Sequence, residues 1–150
     1  MHELEEFLTT TVKAVNDADH ALHNGDPEPR IALWTTHDPM TVFGALPVER
    51  TGSAECVALF RSLASRFTDG RRFDVEIVAA DVVGQMAYTA AYEDSVASFD
   101  GGPTMHNRLR VTQIYRRESG GWRLVHRHGD HVPGFPRPVP TSEQAAERSA

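Results

Sequence analysis

Cysteine is nearly missing from this 150-residue chain: Cys56 stands alone, so no internal disulfide can form and no thiolate metal cluster can assemble. No apolar run approaches the roughly 18 residues that cross a bilayer. Excess positive charge is missing too. A net charge of -6 leaves none of the basic footprint that holds nucleic-acid phosphates. There is no glycine-rich phosphate loop, nucleophile elbow or Cys/His zinc spacing. A single thiol fits a reducing cytoplasm, and the opening Met-His-Glu-Leu-Glu-Glu is acidic where a secretion signal is basic. The expectation is a cytoplasmic chain with no membrane or nucleic-acid partner, no metal and no cofactor. Its length suits one domain of about 100–200 residues. A chain of this size buries roughly 68–70% of its unfolded surface, enough for a core and one internal pocket.

What is present divides at residue 71. Before it, Leu4, Leu8, Val12, Val15 and Leu22 recur at helical spacing, predicting a helix over residues 3–24 with acids at its N-terminal end. Asn24-Gly25-Asp26-Pro27 stops that helix. A short second helix follows through Ile31, Leu33 and Trp34. Asp38-Pro39 turns the chain into a strand at Met40–Phe43, and a third helix runs from Ser53 with Val57, Phe60, Leu63, Ala64 and Phe67 on its apolar face. After residue 71 the period drops to two, and strands are predicted over 72–80, 85–98, 104–118 and 121–128, separated at Gly84, Asp100-Gly101-Gly102 and Ser119-Gly120-Gly121. Helices first and strands afterwards imply an α+β fold with an antiparallel meander. The organisation expected is one domain over 1–132 and a Pro-rich tail over 133–150 that lies on the surface or stays unstructured.

The strands carry the candidate chemistry. Strict alternation puts Trp122, Leu124, His126 and His128 on one face, groups His106, Arg108, Arg110 and Thr112 on the preceding strand, and groups Tyr88, Ala90, Tyr92 and Asp94 on the strand before that. A face mixing His, Arg, Asp and aromatics is costly to bury dry and suits a pocket with convergent polar groups. His126-x-His128 reads as pocket or hydrogen-bonded core histidines in preference to a metal site, since the spacing is loose and Arg108, Arg110 and Arg127 would repel a dication. Arg108 and Arg110 can hold an anionic ligand or pair with Asp94 or Glu93 across the hairpin. His37-Asp38-Pro39 can touch substrate or simply form a turn. Tyr88, Tyr92, Trp34 and Trp122 read as pocket wall or core, and Cys56 as inert packing.

Trp34-Thr-Thr-His-Asp-Pro-Met-Thr-Val-Phe-Gly44, Ala87-Tyr88, Arg110-Val-Thr-Gln-Ile-Tyr-Arg-Arg117 and Trp122-Arg-Leu-Val-His-Arg-His128 together resemble the SnoaL-like, ketosteroid-isomerase-related branch of the nuclear-transport-factor-2-like superfamily, over residues 3 to about 132. The resemblance implies a barrel-like cone: about three helices packed in a curved antiparallel sheet around a pocket, with a homodimer formed through the outer sheet face. Val111, Gln113, Tyr115 and Val125 are the positions expected on that outer face. The family hosts both enzymes and binding modules, so fold alone does not decide function.

The resulting expectation is a cofactor-free acid–base enzyme, of isomerase, cyclase or lyase type, acting on a small apolar carbonyl or carboxylate compound. The alternative is a non-catalytic ligand-binding or oligomerisation domain. The candidate proton-transfer residues are His126, Asp94 and His106. Trp34, His37, Tyr88, Tyr92, Arg108, Arg110, Thr112, Trp122 and His128 are the candidate substrate contacts.

Overall fold

A computed structural model describes residues 2–140 of the chain. The first helical stretch, α1, is α-helical over Glu3–Glu6, widens to a π-helix over Phe7–Val12 and returns to α-helix over Lys13–Leu22. The wider turns rotate the apolar stripe, so Phe7 is buried while the expected Leu4 and Leu8 are only half-buried. Gly25, at φ +91°, takes the left-handed conformation that ends the helix. Helix α2 spans Glu28–Leu33, β1 Thr41–Gly44, β2 Val48–Thr51 and α3 Ser53–Arg66. The Asp38 carboxylate accepts the Ser53 N–H at 2.8 Å, so this turn residue serves the start of α3.

Four long strands follow: β3 Phe67–Val83, β4 Met86–Phe99, β5 Thr104–Glu118 and β6 Gly121–His131. The sheet order is β2-β1-β6-β5-β4-β3. The meander is antiparallel as expected, but β1 joins β6 in parallel, so the sheet is mixed. It is also open, with β2 and β3 at its edges, and does not close into a barrel. The three helices pack against its concave face. Phe7 meets Tyr115 and Trp122 edge-on at ring separations of 4.8 and 5.5 Å, and Trp34 lies 4.9 Å from Phe60.

The described part of the tail is mostly exposed and adds one short strand. Arg137–Pro138 forms a two-residue strand, β7, on β5, and Phe135 packs against His106. The rest of the expected tail, 141–150, lies outside the described residues.

Asn24 clamps the end of α1 to the start of β3. Its side chain accepts the Gly70 N–H at 2.9 Å and donates to the Gly70 carbonyl at 3.0 Å. A Cβ on Gly70 would sit 2.8 Å from Asn24 Nδ2 and 3.0 Å from His23 Cβ. Gly70→Ala is therefore expected to cost about 1 kcal/mol by crowding, read as a melting temperature a few degrees lower.

Candidate functional site

Between the helices and the concave sheet face lies a cavity of about 310 Å³. Pairing of β4, β5 and β6 sets its wall in rows. Glu93, Leu109 and His131 stand side by side, and Ser95 sits opposite Asn107 in the next row outward. Leu22, Leu59, Leu63, Phe67, Ala97 and Met105 supply much of the apolar remainder.

The inner end of the cavity is ionic. Arg127 donates to both carboxylate oxygens of Glu93 at 2.7 Å each, and Arg30 donates through Nε to Asp19 at 2.8 Å. Arg127 also donates to the Gln113 amide oxygen at 3.1 Å and lies 3.8 Å from Asp19. These four side chains are all close to fully buried, and their charges cancel. Burial alone would raise the Glu93 carboxyl; the attraction of Arg127, with Arg30 behind it, overrides this and holds it below the ordinary carboxylate range. Burial works against charge on Arg127 as well, but Glu93 and Asp19 keep it firmly protonated. Asp19 is raised, because burial outweighs the help of Arg30 and Arg127.

His23 follows α1 by one residue and lies four residues after Asp19, on the same side of the helix. Burial, with the Arg30 cation second, pushes its imidazole down to about 3, so the ring is neutral near pH 7. Its Nδ1 and that of His131 are buried without a hydrogen-bond partner among the described residues, and both residues line the cavity. Arg30 is in a related position. Its Nε is engaged, while its terminal amino groups meet no acceptor among the described residues.

None of the candidate proton-transfer and substrate-contact residues lines this cavity. Trp34 and Trp122 are buried core. His37 is exposed in the loop before β1, its carbonyl accepting from Arg116. The others stand on the outer face. Asp94 accepts from His106 at 2.9 Å and from Arg108, whose guanidinium covers the Tyr92 ring at 4.3 Å. Arg110 pairs with Asp130. Tyr88, Thr112 and His128 are exposed there, and His126 Nδ1 meets the Thr41 hydroxyl at 2.7 Å.

The physical reason is register. Val125 is an extra residue in β6: Ile114 faces His126, but Tyr115 faces Leu124. Trp122 and Leu124 point inward before the bulge. Arg127, Gly129 and His131 do so after it, and His126 and His128 are turned out. On β4 and β5 the inward set is the other parity, so Val111, Gln113 and Tyr115, expected outside, are buried. Two signals pointed to this arrangement. Met105, Leu109, Val111 and Tyr115 make the more apolar face of β5. Asp19 and His23 interrupt the stripe of Val15 and Leu22 at helical spacing.

The profile of one domain family, described as a SnoaL-like domain, matches residues 12–132. A search of curated proteins finds no match. Among solved structures the chain is similar to one described as a candidate dehydratase of the NTF2-like family from Streptomyces avermitilis, at 20% identity over 87% of this chain and 97% of that one, TM-score 0.74. It is similar to a ketosteroid isomerase-like protein from Erwinia carotovora atroseptica, at 14% identity over 88% and 98% of the two chains, TM-score 0.71. It is also similar to a candidate calcium/calmodulin-dependent protein kinase type II association domain from Thiobacillus denitrificans, at 21% identity over 81% and 92%, TM-score 0.66. At these identities the likeness is one of fold.

Proposed function

The chain belongs to the SnoaL-like domain family, and from that premise we propose that its cavity binds a small, uncharged, mostly apolar molecule by a carbonyl oxygen at the ionic end. The observation that carries this reading is Arg30. Its guanidinium is buried, its Nε is taken by Asp19, its terminal amino groups meet no acceptor among the described residues, and the residue lines the cavity. A carbonyl oxygen supplies that acceptor without disturbing a floor whose two arginines and two carboxylates already balance. A carboxylate would add a negative charge beside Glu93. Carbonyl chemistry also suits relatives described as a candidate dehydratase and a ketosteroid isomerase-like protein.

Acetophenone and benzoate, matched in shape and different in charge, test this. Acetophenone is expected to raise the melting temperature of the wild type and benzoate to leave it unchanged at pH 7.5. The acetophenone shift is expected to vanish in Arg30→Met and to weaken in Arg30→Lys, which keeps the charge beside Asp19 and loses the guanidinium fork. Equal shifts for the two probes would remove the neutral-ligand reading.

His23 supports a second reading, in which the same site catalyses cofactor-free proton transfer. Its ring is neutral, the residue lines the cavity, its buried Nδ1 has no partner among the described residues, and Arg30 on the same cavity can hold a developing oxyanion. Deuterium washout from the methyl of labelled acetophenone, faster than in buffer and lost in His23→Leu, is the expected sign of turnover. Washout at the buffer rate would leave the binding role alone.

The domain is also proposed to form a homodimer through the outer sheet face. Tyr88 and Phe43 are exposed there, and Ala90, Thr112 and His128 form a shared row across β4, β5 and β6. The expected interface buries about 1,200–2,000 Å² in total. Light scattering is expected to give twice the chain mass at tens of micromolar, and Thr112→Arg, at the centre of that row, to give the monomer.

A further inference from the structure

We infer that Ser95 and Asn107 form a second polar station in the cavity, selecting a ligand that carries an uncharged hydroxyl about 7 Å from its carbonyl. This rests on the reading that a carbonyl compound binds at the ionic end. The two residues are directly opposite in the β4–β5 pairing, and both line the cavity. Ser95 is 7% exposed, and neither side chain makes a hydrogen bond among the described residues. Ala97 and Met105 form an apolar row outward of them, and the row inward is Glu93, Leu109 and His131 at the ionic end.

Asn107 is half-buried and Ser95 buried, and with no partner among the described residues the polar ends of both are free for a ligand, which spares them the cost of sealed-off polar groups. Their chemistry specifies what they take. The Ser95 hydroxyl and the Asn107 amide each offer a donor and an acceptor, and neither is charged. A ligand hydroxyl can accept from one and donate to the other, whereas a methyl of the same volume can do neither. The spacing follows from the strand. Glu93 and Ser95 are successive inward residues on β4, two residues apart, so the station lies about 7 Å from the ionic row. With the ligand carbonyl held level with Glu93, that spacing suits an aromatic ketone with its hydroxyl para to the acyl group.

The test compares para-hydroxyacetophenone with para-methylacetophenone by calorimetric titration, with acetophenone as the parent probe. The wild type is expected to bind the hydroxyl compound about tenfold more tightly than the methyl compound. That ratio is expected to fall to about one in Asn107→Leu and to about threefold in Ser95→Ala. Because the readout is a ratio, any general loosening of the cavity cancels. Ser95→Ala, a smaller change, keeps the test open if Asn107→Leu does not fold. Equal binding of the two compounds by a wild type that binds acetophenone would overturn the station and leave the carbonyl site standing. A preference that survives both substitutions would overturn it as well. Failure of acetophenone itself to bind would remove the carbonyl site and this inference with it.

Discussion

Arg127→Met is expected to remove about 3–5 kcal/mol of folding stability, because it leaves the Glu93 carboxylate buried with no cation in contact. In a domain of this size the melting temperature should fall by about 10 °C or more. The loss should come from the abandoned charge more than from the missing bonds. Glu93→Leu combined with Arg127→Met, which removes both charges and keeps apolar volume, is therefore expected to recover much of the difference. Arg110→Met, at the exposed pair with Asp130, should barely move the transition. Calorimetry on the four proteins checks the ranking, and a double variant no better than Arg127→Met would show that the bonds themselves dominate.

Acid is expected to weaken the fold well above the usual carboxylate range, through His23. Its folded pKa is about 3 against 6.5 in the unfolded chain. Between those values the unfolded state binds a proton that the folded state refuses, so stability falls as pH falls from 6.5 toward 3, by about 1.4 kcal/mol per pH unit at the steepest. Glu93, depressed in the fold, adds a loss of the same sign below about 4.5. Asp19, raised in the fold, acts in the opposite direction over a window that extends upward from its ordinary value of 3.8. His126, lowered by burial and then by His128, adds a smaller contribution of the same sign as His23. The difference between wild type and His23→Leu isolates the one group. Urea unfolding at pH 6.5 and pH 4.5 should show the wild type losing on the order of 2 kcal/mol more than the variant. Parallel losses in the two proteins would mean that the ring titrates normally.

Local pattern was enough for the elements. The apolar spacing of residues 3–24, the Gly25 stop and the change of period near residue 71 are short-range consequences of backbone geometry, and helices and strands stand close to where they predict them. The α+β cone followed from that order together with the family resemblance. The face of each strand was not legible in the same way. Alternation assigns residues to two sides without saying which side is inside, and a single extra residue at Val125 exchanges the sides partway along β6. His126 and His128 were thereby sent out and Arg127 and His131 brought in. The ionic end was beyond local reading for a further reason: Asp19, His23 and Arg30 come from the helical N-terminal half, Glu93 and Arg127 from β4 and β6. No spacing in one chain records that they meet. The sequence by itself determined the secondary structure, the fold class and the acidic, nearly thiol-free character of the chain, because these depend on neighbours and composition. Which polar residues line the cavity was decided only in three dimensions, by cross-strand register and helix docking, since long-range pairing sets what each buried charge can find as its partner.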